Sequence, residues 1–559
     1  MEQEYLKLKK SNCKNCYKCI RNCPVKSIKF LDDQAYILES DCILCGNCFV
    51  NCPQDAKVIR YDINQVKTLI KEGKKVVASL APSFVANFEG YNFSSIEKAL
   101  LSLGFARVEE TAIGATIVKN EYERILKEEK PNLLISSCCS SVNLLIQKHF
   151  PKVLPYLANV LSPMQAHCKK IKMEDPECYT VFIGPCISKK YEGDHSNGIV
   201  DHVLTFEELS VWLNDADLKL EHVEDNSVGG KARLFPTNGG VIKTMDTKAN
   251  TDYHYISVDG LDNCLTILKE IEEGKINNCF IEMSACRFSC SGGPCIAKTK
   301  YNPLYDLVKI CDYAKEEDFE VEQIENLSKK FDDLSTTKLI PSEEKIREIL
   351  ASIGKKTKDQ ELNCGSCGYP TCRDKAIAVY QGKADLNMCL PYLKEKAESF
   401  TDTIIDHTPN GVLVMNYNLE VQLINKSATN ILNVGEYDIV IGKNIAKFID
   451  PYLYVKALSN DINIIDNQAF FEGLDKYIRQ SVIHDREYQL LIVIMKDISV
   501  QERALERKEQ LDKQTIETAN KVIEKQMRIA QEIASLLGET TAETKIALTK
   551  LKESLKNEE

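Results

Sequence analysis

Short runs of apolar residues alternate with helical stretches through the middle of the chain. The runs at 76–80, 133–135 and 181–183 contain almost no polar residues, as strands do when both faces of a sheet are covered. The stretches at 94–103 and 142–150 carry apolar residues at helical spacing. This alternation predicts an α/β region with buried parallel strands.

A different pattern occupies residues 396–499, which contain no cysteine. Two strand-like segments at 411–415 and 421–425 flank a short polar turn, which predicts a hairpin. A helical stretch follows at 426–432, and an apolar strand at 489–498 closes the region. The shift in pattern and composition predicts a separate α+β domain, so the fold is expected to be multidomain.

Residues 500–559 are highly charged and predict helices. Apolar residues recur there at near-heptad spacing, at Ile516, Ala519, Ile523, Ala530, Ile533 and Leu537. Gln526 stands at a position that would otherwise be apolar, and one buried polar residue can fix the register of a coiled coil. The pattern predicts a coiled-coil seam and a homodimer; the alternative is a helix that packs on its own preceding domain. Gly538 is expected to end the main helix.

Composition narrows the possible functions. The chain has 559 residues and a net charge of −11, and no dense Lys/Arg stripe offsets that charge, which argues against a nucleic-acid-binding protein. The first residues show no signal-peptide pattern, and the sequence has no run of about 18 apolar residues that would predict a membrane span. We therefore expect a cytoplasmic protein. In a reducing compartment, 23 cysteines indicate metal binding rather than disulfides.

The cysteine pattern is most regular at the N-terminus. The spacing C-x2-C-x2-C-x3-C-P occurs twice, at Cys13, Cys16, Cys19 and Cys23 and again at Cys42, Cys45, Cys48 and Cys52. In this spacing three cysteines hold one 4Fe–4S cluster and the fourth ligates the other cluster. We assign a first cluster set, Cys13, Cys16, Cys19 and Cys52, and a second cluster set, Cys42, Cys45, Cys48 and Cys23. Residues 1–62 resemble bacterial two-cluster ferredoxins, which carry electrons; zinc is disfavoured because its sites do not use eight cysteines in this duplicated form.

Further cysteines follow apolar runs in the middle of the chain. Cys139, Cys186 and the pair Cys286 and Cys290 each stand shortly after such a run. Open α/β sheets gather ligand groups at strand ends. These four thiolates are enough for one further cluster, although each loop could instead hold buried structural cysteines.

Three motifs give residues 76–310 a resemblance to the catalytic domain of iron-only (FeFe) hydrogenases. The family signature T-S-C-C-P appears as Ser-Ser-Cys-Cys-Ser at 136–140, M-P-C-x-x-K-x-x-E appears at 184–192, and E-x-M-x-C-x3-C appears at 282–290. Supporting matches lie at 81–82, 114–115, 162–165 and 237–240. The motifs also follow one another in the family's order.

The resemblance implies an H-cluster, which is a 4Fe–4S cubane joined through a cysteine sulfur to a two-iron unit with CO and cyanide ligands. The cubane ligands that it implies are Cys139, Cys186, Cys286 and Cys290, with Cys290 as the bridge. Lys189 matches the residue that hydrogen-bonds a cyanide, which suits a compact ammonium beside an anion. Cys138 matches the family's proton-relay cysteine. A thiol suits this role, because it can pass a proton without being permanently charged. Ser162 and Glu192 match further relay positions in a reaction between H2, protons and electrons.

The motifs depart from the family around the two-iron unit. Gly184 and Ser284 replace the methionines of the second and third signatures, and Ser140 and Val142 stand where the first has Pro and Trp. Such changes alter bulk, polarity and hydrogen bonding near a metal. The segment 120–124, which should supply relay carboxylates, contains two glutamates. Low hydrogen turnover is therefore expected.

A fourth cysteine group follows a charged stretch at 312–340, which is expected to be a solvated connector. This group has the spacing C-x2-C-x4-C-x16-C, at Cys364, Cys367, Cys372 and Cys389. Glycines between these cysteines permit the tight turns that direct thiolates to one metal centre. Residues 341–395 resemble the small 4Fe–4S domain of several anaerobic redox proteins, and a four-cysteine zinc site is the alternative.

The cysteine-free region resembles a sensor domain. The sequences at 407–411 and 424–428 resemble the opening of PAS domains, so residues 396–499 are expected to form one; an inert α+β packing domain is the alternative. Phe470, Phe471 and Tyr477 could line a ligand pocket or form core. The sequence does not identify a PAS ligand.

The whole chain is predicted to be a multidomain α/β and α+β protein. Its expected segments are a two-cluster ferredoxin domain at 1–62, an H-cluster domain at 63–311, a linker at 312–340, a 4Fe–4S domain at 341–395, a PAS domain at 396–499 and a helical signalling tail at 500–559. This set resembles the sensory type of FeFe hydrogenase and implies a ferredoxin-like electron partner and a phosphatase or kinase in trans. The alternatives are a ferredoxin-dependent hydrogenase of energy metabolism and an electron-transfer or scaffold protein that lacks the two-iron unit.

Overall fold

The computed structural model describes residues 4–31, 33–225, 227–248, 252–296, 302–322, 324–337, 339–435 and 437–556. The chain divides into two compact units, Met1–Leu393 and Lys394–Glu559, which we call unit 1 and unit 2. The outer ends of the first and last predicted segments, at 1–3 and 557–559, lie outside the described residues. Within the described ranges, no helix combines the length and apolar content that crossing a bilayer requires.

The N-terminal part of unit 1 contains two copies of one small structural motif. Its elements are β1 (Leu6–Leu8), α1 (Lys18–Arg21), β2 (Ile28–Leu31), β3 (Gln34–Ile37), α2 (Asn47–Val50) and β4 (Lys57–Ile59). β1 pairs with β4 and β2 with β3, both antiparallel. α1 and α2 each contain the third cysteine of one motif, Cys19 and Cys48. The duplicated spacing of the sequence is therefore matched by a duplicated fold.

Two parallel sheets form the middle of unit 1. Their strands are β5 (Val76–Leu80), β6 (Arg107–Glu110), β7 (Leu133–Ile135), β8 (Tyr179–Gly184), β9 (His202–Thr205), β10 (His254–Asp259) and β11 (Cys279–Ser284). One sheet has the order β6-β5-β8-β9 and the other β10-β11-β7, and every pairing in both is parallel. All residues of β5 are buried, which explains its continuous apolar run. The three strands predicted from such runs are confirmed.

Helices connect these strands. They are α3 (Ile63–Lys71), α4 (Phe84–Asn87), α5 (Phe93–Ser102), α6 (Ala112–Glu128), α7 (Ser140–His149), α8 (Pro163–Glu174), α9 (Ser188–Asp194), α10 (Phe206–Asp215), α11 (Gly240–Thr244), α12 (Leu261–Glu272) and α13 (Pro303–Tyr313). Several start at a side-chain cap: Asn92 caps α5, Ser162 caps α8, and Thr205 forms a capping box with Glu208 at α10. The predicted α/β region is confirmed.

The rest of unit 1 contains an irregular segment and a small helical domain with α14 (Glu343–Ser352) and α15 (Cys372–Tyr380). The expectation of a solvated connector at 312–340 is wrong in part. Ile324 and Leu327 are buried in the same core as residues of α6, and the Leu161 N–H donates to the Leu327 carbonyl. The charged composition of the segment predicted exposure to solvent, although its two apolar residues Ile324 and Leu327 anchor it to the core.

Unit 2 contains one antiparallel sheet and a long helix. Its elements, with α16 (Leu390–His407) counted here although its first four residues belong to unit 1, are α16, β12 (Gly411–Asn416), β13 (Val421–Ile424), α17 (Lys426–Leu432), α18 (Tyr437–Val440), α19 (Tyr452–Ser459), β14 (Ile464–Phe471), β15 (Lys476–Asp485), β16 (Leu490–Asp497) and α20 (Ser499–Lys556). The strand order is β13-β12-β16-β15-β14. The predicted hairpin, the helix after it and the closing strand are confirmed.

The tail of unit 2 is one helix of 58 residues. It continues through Gly538, so the predicted stop there is wrong. A glycine inside a helix costs only about 1 kcal/mol relative to alanine, and the residues around Gly538 continue the helix on both sides. In the sheet, Phe470 is exposed, Phe471 packs against the core, and the Tyr477 hydroxyl donates to Glu506 of α20.

Candidate metal centre

The carboxyl ends of strands from both parallel sheets meet at one cavity. Its volume is about 120 Å³. Its lining residues stand at or after the ends of β5, β6, β7, β8 and β11 and include Ala81, Pro82, Thr111, Cys138, Cys139, Cys186, Lys189, Glu282, Ser284 and Cys290. Parallel strands direct their carboxyl ends, and the loops that follow, to one edge. The fold thus explains why residues that are distant in sequence meet here.

The four predicted cubane thiols are neighbours. Cys139, Cys186 and Cys290 line the cavity. Burial raises the pKa of Cys286 well above its ordinary value, and the nearby thiols of the other three raise it further. Burial also raises the pKa of Cys139 and of Cys290. Buried thiols hold their protons until a metal replaces them, so this donor set fits a 4Fe–4S cubane.

A hydrogen-bonding group lies beside each of two of these sulfurs. The Ala285 N–H lies 3.5 Å from the Sγ of Cys139. The hydroxyl of Ser188 lies 3.1 Å from the Sγ of Cys186. Hydrogen bonds to ligand sulfurs are one of the ways in which a protein sets the potential of a bound cluster.

The ammonium of Lys189 reaches the cavity from α9 and is held by fixed partners. It donates to Glu192 Oε2 at 2.6 Å and to the backbone oxygen of Cys138 at 3.2 Å. Lys329 donates to the other oxygen of Glu192 at 3.4 Å. Burial opposes ionisation of Glu192, but the charges of Lys189 and Lys329 and the hydrogen bonds from Lys189 and Ser162 lower its pKa to about 2. The predicted residues Ser162, Lys189 and Glu192 therefore lie together.

Cys138 lies on the cavity wall beside a buried tyrosine. Its thiol is 3.3 Å from the hydroxyl of Tyr122, which lies 3.1 Å from Ser137 Oγ and accepts from the Ser137 N–H at 2.9 Å. Burial raises the pKa of Cys138 to about 12 and that of Tyr122 well above its ordinary value. Ser137 Oγ donates to the backbone oxygen of Val160. The series of hydrogen-bonding groups that begins at the Cys138 thiol thus ends at the carbonyl of Val160, which does not take up a proton.

The two glutamates of segment 120–124 have other partners than Cys138. Glu121 accepts from Arg124, and Glu123 accepts from the Asp246 N–H. Tyr122 is fully buried and contacts Cys138, whereas the side chains of Glu121 and Glu123 are partly exposed and bond elsewhere. The expectation that this segment supplies relay carboxylates is wrong for that reason.

The cavity wall reflects the departures seen in the sequence. A Cβ built on Gly184 would lie 2.6 Å from the ring of Phe182 and 3.3 Å from the Cβ of Ala81. The ring of Phe182, which lines the cavity, therefore fills the space beside Gly184. Ser284, Met164 and Met283 also line the wall. The wall therefore combines an aromatic edge, a hydroxyl and two thioethers that come from other positions than the family's methionines.

Both ferredoxin cluster sets are grouped in space. Cys13, Cys16, Cys19 and Cys52 line one small cavity. Burial raises the pKa of Cys45 well above its ordinary value, and Cys23, Cys48 and Cys42 add to that rise, so the second cluster set is also assembled. Cys19 of the first set contributes to the raised pKa of Cys48 of the second. The two sets are therefore adjacent.

The second cluster set lies against the cavity loops. Gly46, directly after Cys45, has a φ of 79°. A Cβ on Gly46 would lie 2.4 Å from the Cβ of Pro294 and 3.1 Å from Ile187 Cδ1, so only glycine permits this approach. Cys45 also contributes to the raised pKa of Cys286. The N-terminal part of unit 1, which carries both ferredoxin cluster sets, thus contacts the loops that carry the predicted cubane thiols.

The four-cysteine group packs on the ferredoxin part from another direction. Its members Cys364, Cys367, Cys372 and Cys389 line one small cavity. Arg21 of α1 donates to the backbone oxygen of Ser366. Burial raises the pKa of Tyr369, and Cys367 and Cys23 both add to the rise. Tyr369 and Cys23 share one apolar core, against which Cys367 packs, so the four-cysteine group lies beside the second cluster set.

Three residues at the centre have no predicted role from the sequence. Lys329 comes from the supposed connector, and no local pattern reveals its contact with Glu192. Tyr122 shares a buried helical face with Val118, and that spacing could have placed it inward. Glu282 belongs to a quoted motif; burial raises its pKa to about 7 while the Ile242 N–H donates to it at 3.1 Å.

The remaining cysteine observations concern pairing and single ions. All 23 cysteines lie among the described residues and are free of disulfides. In the part of the chain that the structure describes, no three His, Cys, Asp or Glu side chains converge on a site for a single metal ion. Iron–sulfur clusters hold their thiolates around several irons rather than one.

Three family models match the chain. The model for the C-terminal domain of the iron-only hydrogenase large subunit matches residues 74–294. The 4Fe-4S dicluster domain matches residues 12–56, and an Fe-S cluster family matches residues 360–391. These ranges contain the cavity cysteines, the two ferredoxin sets and the four-cysteine group, respectively.

Individual proteins show the same likeness at low identity. Iron hydrogenase 1 of Clostridium pasteurianum is 27% identical over 353 residues, which are 53% of this chain and 62% of that protein. The periplasmic [Fe] hydrogenase large subunit of Nitratidesulfovibrio vulgaris is 26% identical over 299 residues, 41% of this chain and 71% of that protein. A solved structure of HydA1 from Chlamydomonas reinhardtii has 19% identity and a TM-score of 0.37, covering 46% of this chain and 90% of that one. The chain therefore contains a domain that matches the C-terminal domain of the iron-only hydrogenase large subunit, a 4Fe-4S dicluster domain and a further Fe–S cluster domain.

Proposed function

We propose that this protein is a hydrogen sensor that converts H2 to two protons and two electrons at an H-cluster and signals through unit 2. Cys139, Cys186, Cys290 and Lys189 line one cavity, with Cys286 close to the three thiols, within a domain that matches the iron-only hydrogenase model.

The residues fit the proposed cofactor. Cys139, Cys186, Cys286 and Cys290 would hold the cubane, with Cys290 as the bridge to the two-iron unit. Lys189, fixed by Glu192 at 2.6 Å, presents an ammonium that suits an anionic cyanide ligand. Cys138 Sγ holds a proton at the cavity wall. When bound, this group supplies the iron centre for splitting H2 and the first acceptor of its electrons.

The other cysteine groups would hold three further 4Fe–4S clusters. The second cluster set packs on the cavity loops at Gly46, lies near the first set and shares an apolar core with Tyr369 and Cys367 of the four-cysteine group. The second set is thus the junction of the other three groups. This placement favours electron transfer in either direction between the cavity and a ferredoxin-like partner.

The cavity favours slow chemistry over bulk turnover. The hydroxyl chain from Cys138 ends at the carbonyl of Val160, and Gly184 and Ser284 stand where productive relatives carry methionine. A proton-transfer group beside the reacting atoms contributes about 100-fold or more in rate, so a closed route at Cys138 slows turnover even where protons can leave through another wall of the cavity. Slow turnover is acceptable in a sensor, whose output is a change of state.

Unit 2 supplies the proposed output. The sequence likeness to PAS domains and the five-stranded sheet support a sensor domain. α20 contacts that sheet near its start, where Arg503 donates to Asp475, and its later apolar residues Ile516, Ile523 and Ile533 are exposed. A second copy would cover this stripe as a coiled coil, which favours a homodimer. A separate phosphatase or kinase in a reducing cytoplasm would respond to the change in the conformation of unit 2.

The test uses the full chain loaded with the two-iron precursor. We expect steady-state H2 oxidation about 100-fold or more below that of a bulk hydrogenase assayed alongside, together with an H2-dependent change in amide hydrogen exchange within α20. The matched control is Cys311→Ser, which alters an exposed cysteine outside all four groups. Rapid turnover with no response of α20 would instead indicate a hydrogenase of energy metabolism.

A further inference from the structure

We propose that Thr111, Ser79, His167 and Glu109 form a proton path from the cavity to the protein surface. The inference rests on the proposed hydrogen reaction, because H2 gives up two electrons to the iron–sulfur groups and its two protons must leave the buried site. His167 is the central relay residue of this path.

The four side chains form an unbroken series of hydrogen bonds. Thr111 Oγ1 lies 2.7 Å from Ser79 Oγ, and Ser79 Oγ lies 2.8 Å from His167 Nδ1. On the other side of the ring, His167 Nε2 lies 3.1 Å from Glu109 Oε2. Thr111 lines the cavity, and Ser79 and His167 are fully buried. Water is therefore excluded between the two ends of the path.

The carboxylate fixes the direction of every donor. An ionised Glu109 can only accept, so a neutral His167 carries its hydrogen on Nε2 and leaves Nδ1 to accept from Ser79. The Ser79 oxygen then accepts from Thr111. A proton delivered at Thr111 moves one step at each bond: Thr111 to Ser79, Ser79 to Nδ1, and Nε2 to Glu109.

The fold positions this path rather than leaving it to chance. Ser79 and Glu109 are register partners on β5 and β6, and Thr111 follows directly after β6. His167 comes from α8, which approaches α6 closely at Gly114: a Cβ there would lie 2.2 Å from the carbonyl oxygen of Pro163 and 2.7 Å from His167 Cβ. Any larger residue at 114 would push His167 away from the sheet.

The outer end is accessible and charged. The Glu109 side chain is 16% exposed and pairs with Arg107 at 2.7 Å. Burial opposes its ionisation, but the hydrogen bond from His167, together with the charges of Arg107 and Lys170, lowers its pKa. Glu174, the other carboxylate here, pairs with Arg107 and Lys170. Glu109 is thus ionised at neutral pH, ready to accept a proton and pass it to water.

A buried histidine that only ties β5, β6 and α8 together is the competing explanation. Thr111→Val and Glu109→Gln separate the explanations, because both are isosteric and leave the core volume unchanged. Thr111→Val removes only the inner hydroxyl, whereas the control Thr111→Ser keeps it. Glu109→Gln keeps the shape of the outer group but cannot take up a proton from Nε2.

The experiment measures isotope exchange between H2 and D2O by the full chain loaded with the two-iron precursor. We expect Thr111→Val and Glu109→Gln to slow exchange about tenfold or more, while Thr111→Ser stays near the unmodified rate. The infrared bands of CO and cyanide should stay unchanged in all three. Equal exchange in Thr111→Val and the unmodified chain would overturn the path; no exchange and no bands in the unmodified chain would instead overturn the proposed function.

A second measurement is independent of hydrogen activity. The exchange rate of the ring C2 hydrogen of His167, followed by mass spectrometry at one fixed pH on the chain without the two-iron unit, depends on the hydrogen bonds of that ring. We expect the rate to differ between Glu109→Gln and the unmodified chain, because Nε2 loses its carboxylate partner. An unchanged rate would show that Glu109 does not contact His167 in solution and would remove the outer end of the path.

Discussion

The two walls of the cavity carry similar chemical groups but have different connections to the surface. On one wall, Cys138 contacts Tyr122 and Ser137, and the series ends at the buried carbonyl of Val160. On the other, Thr111 connects through Ser79 and His167 to a partly exposed carboxylate. Proton-binding groups beside a metal are therefore not sufficient, because a proton also needs a continuous route to water.

The largest expected effect comes from removing the metal group that both walls are proposed to face. Cys186→Ser replaces a thiolate ligand with a hydroxyl that binds iron weakly, so the bands of CO and cyanide should be absent after loading. Infrared spectroscopy measures this directly. Cys311→Ser is the control and should keep the bands, since Cys311 is exposed on α13. Unchanged bands in Cys186→Ser would contradict the assigned ligand set.

A smaller effect is expected from the charge pair behind the Cys138 wall. Glu192→Gln leaves Lys189 buried without its carboxylate, which should lower the free energy of unfolding by about 3–5 kcal/mol. The control is Glu174→Gln, a half-exposed carboxylate whose ion pairs are worth about 1 kcal/mol or less. Denaturant unfolding at neutral pH compares the two variants. Equal losses would show that the buried pair has no special role in holding this wall.

The same variant has a signature in pH. The folded-state pKa of Glu192 is about 2, below its ordinary value, so its stabilising contribution is present above that ordinary value and is lost as pH falls towards 2. The unmodified chain should therefore lose stability on acidification faster than Glu192→Gln does. Parallel acid-dependence of the two proteins would contradict the lowered pKa.

The smallest expected effect sharpens the comparison of the two walls. Tyr122→Phe removes a hydroxyl that accepts from the Ser137 N–H, so stability should fall by about 1–3 kcal/mol. Isotope exchange between H2 and D2O should change less than twofold, because this wall is a closed end. A drop as large as that expected for Thr111→Val would show that protons leave through Cys138 and Tyr122.

Local patterns made much of the fold predictable. The strand at 76–80 follows from its unbroken apolar run, and the ferredoxin cluster sets follow from spacing alone. The α17 helix and the hairpin before it also follow from short-range pattern. These features depend on residues that are close in sequence, so no tertiary information is needed.

Contacts between distant segments account for what could not be predicted. Lys329 reaches Glu192 only because two apolar residues anchor an otherwise charged segment. His167 enters its hydrogen-bond series only because α8 approaches α6 at Gly114. Tyr122 faces Cys138 through the turn of α6, while the flanking glutamates, which drew attention in the sequence, point elsewhere.

An H-cluster that senses hydrogen must change its state when hydrogen binds. The infrared spectrum of the full chain after loading with the two-iron precursor, recorded under argon and then under H2, measures this change at the cavity itself. We predict bands of bound CO and cyanide that shift when H2 is admitted. A loaded chain without such bands, or with bands that H2 leaves unchanged, would rule out a hydrogen-responsive H-cluster in this cavity.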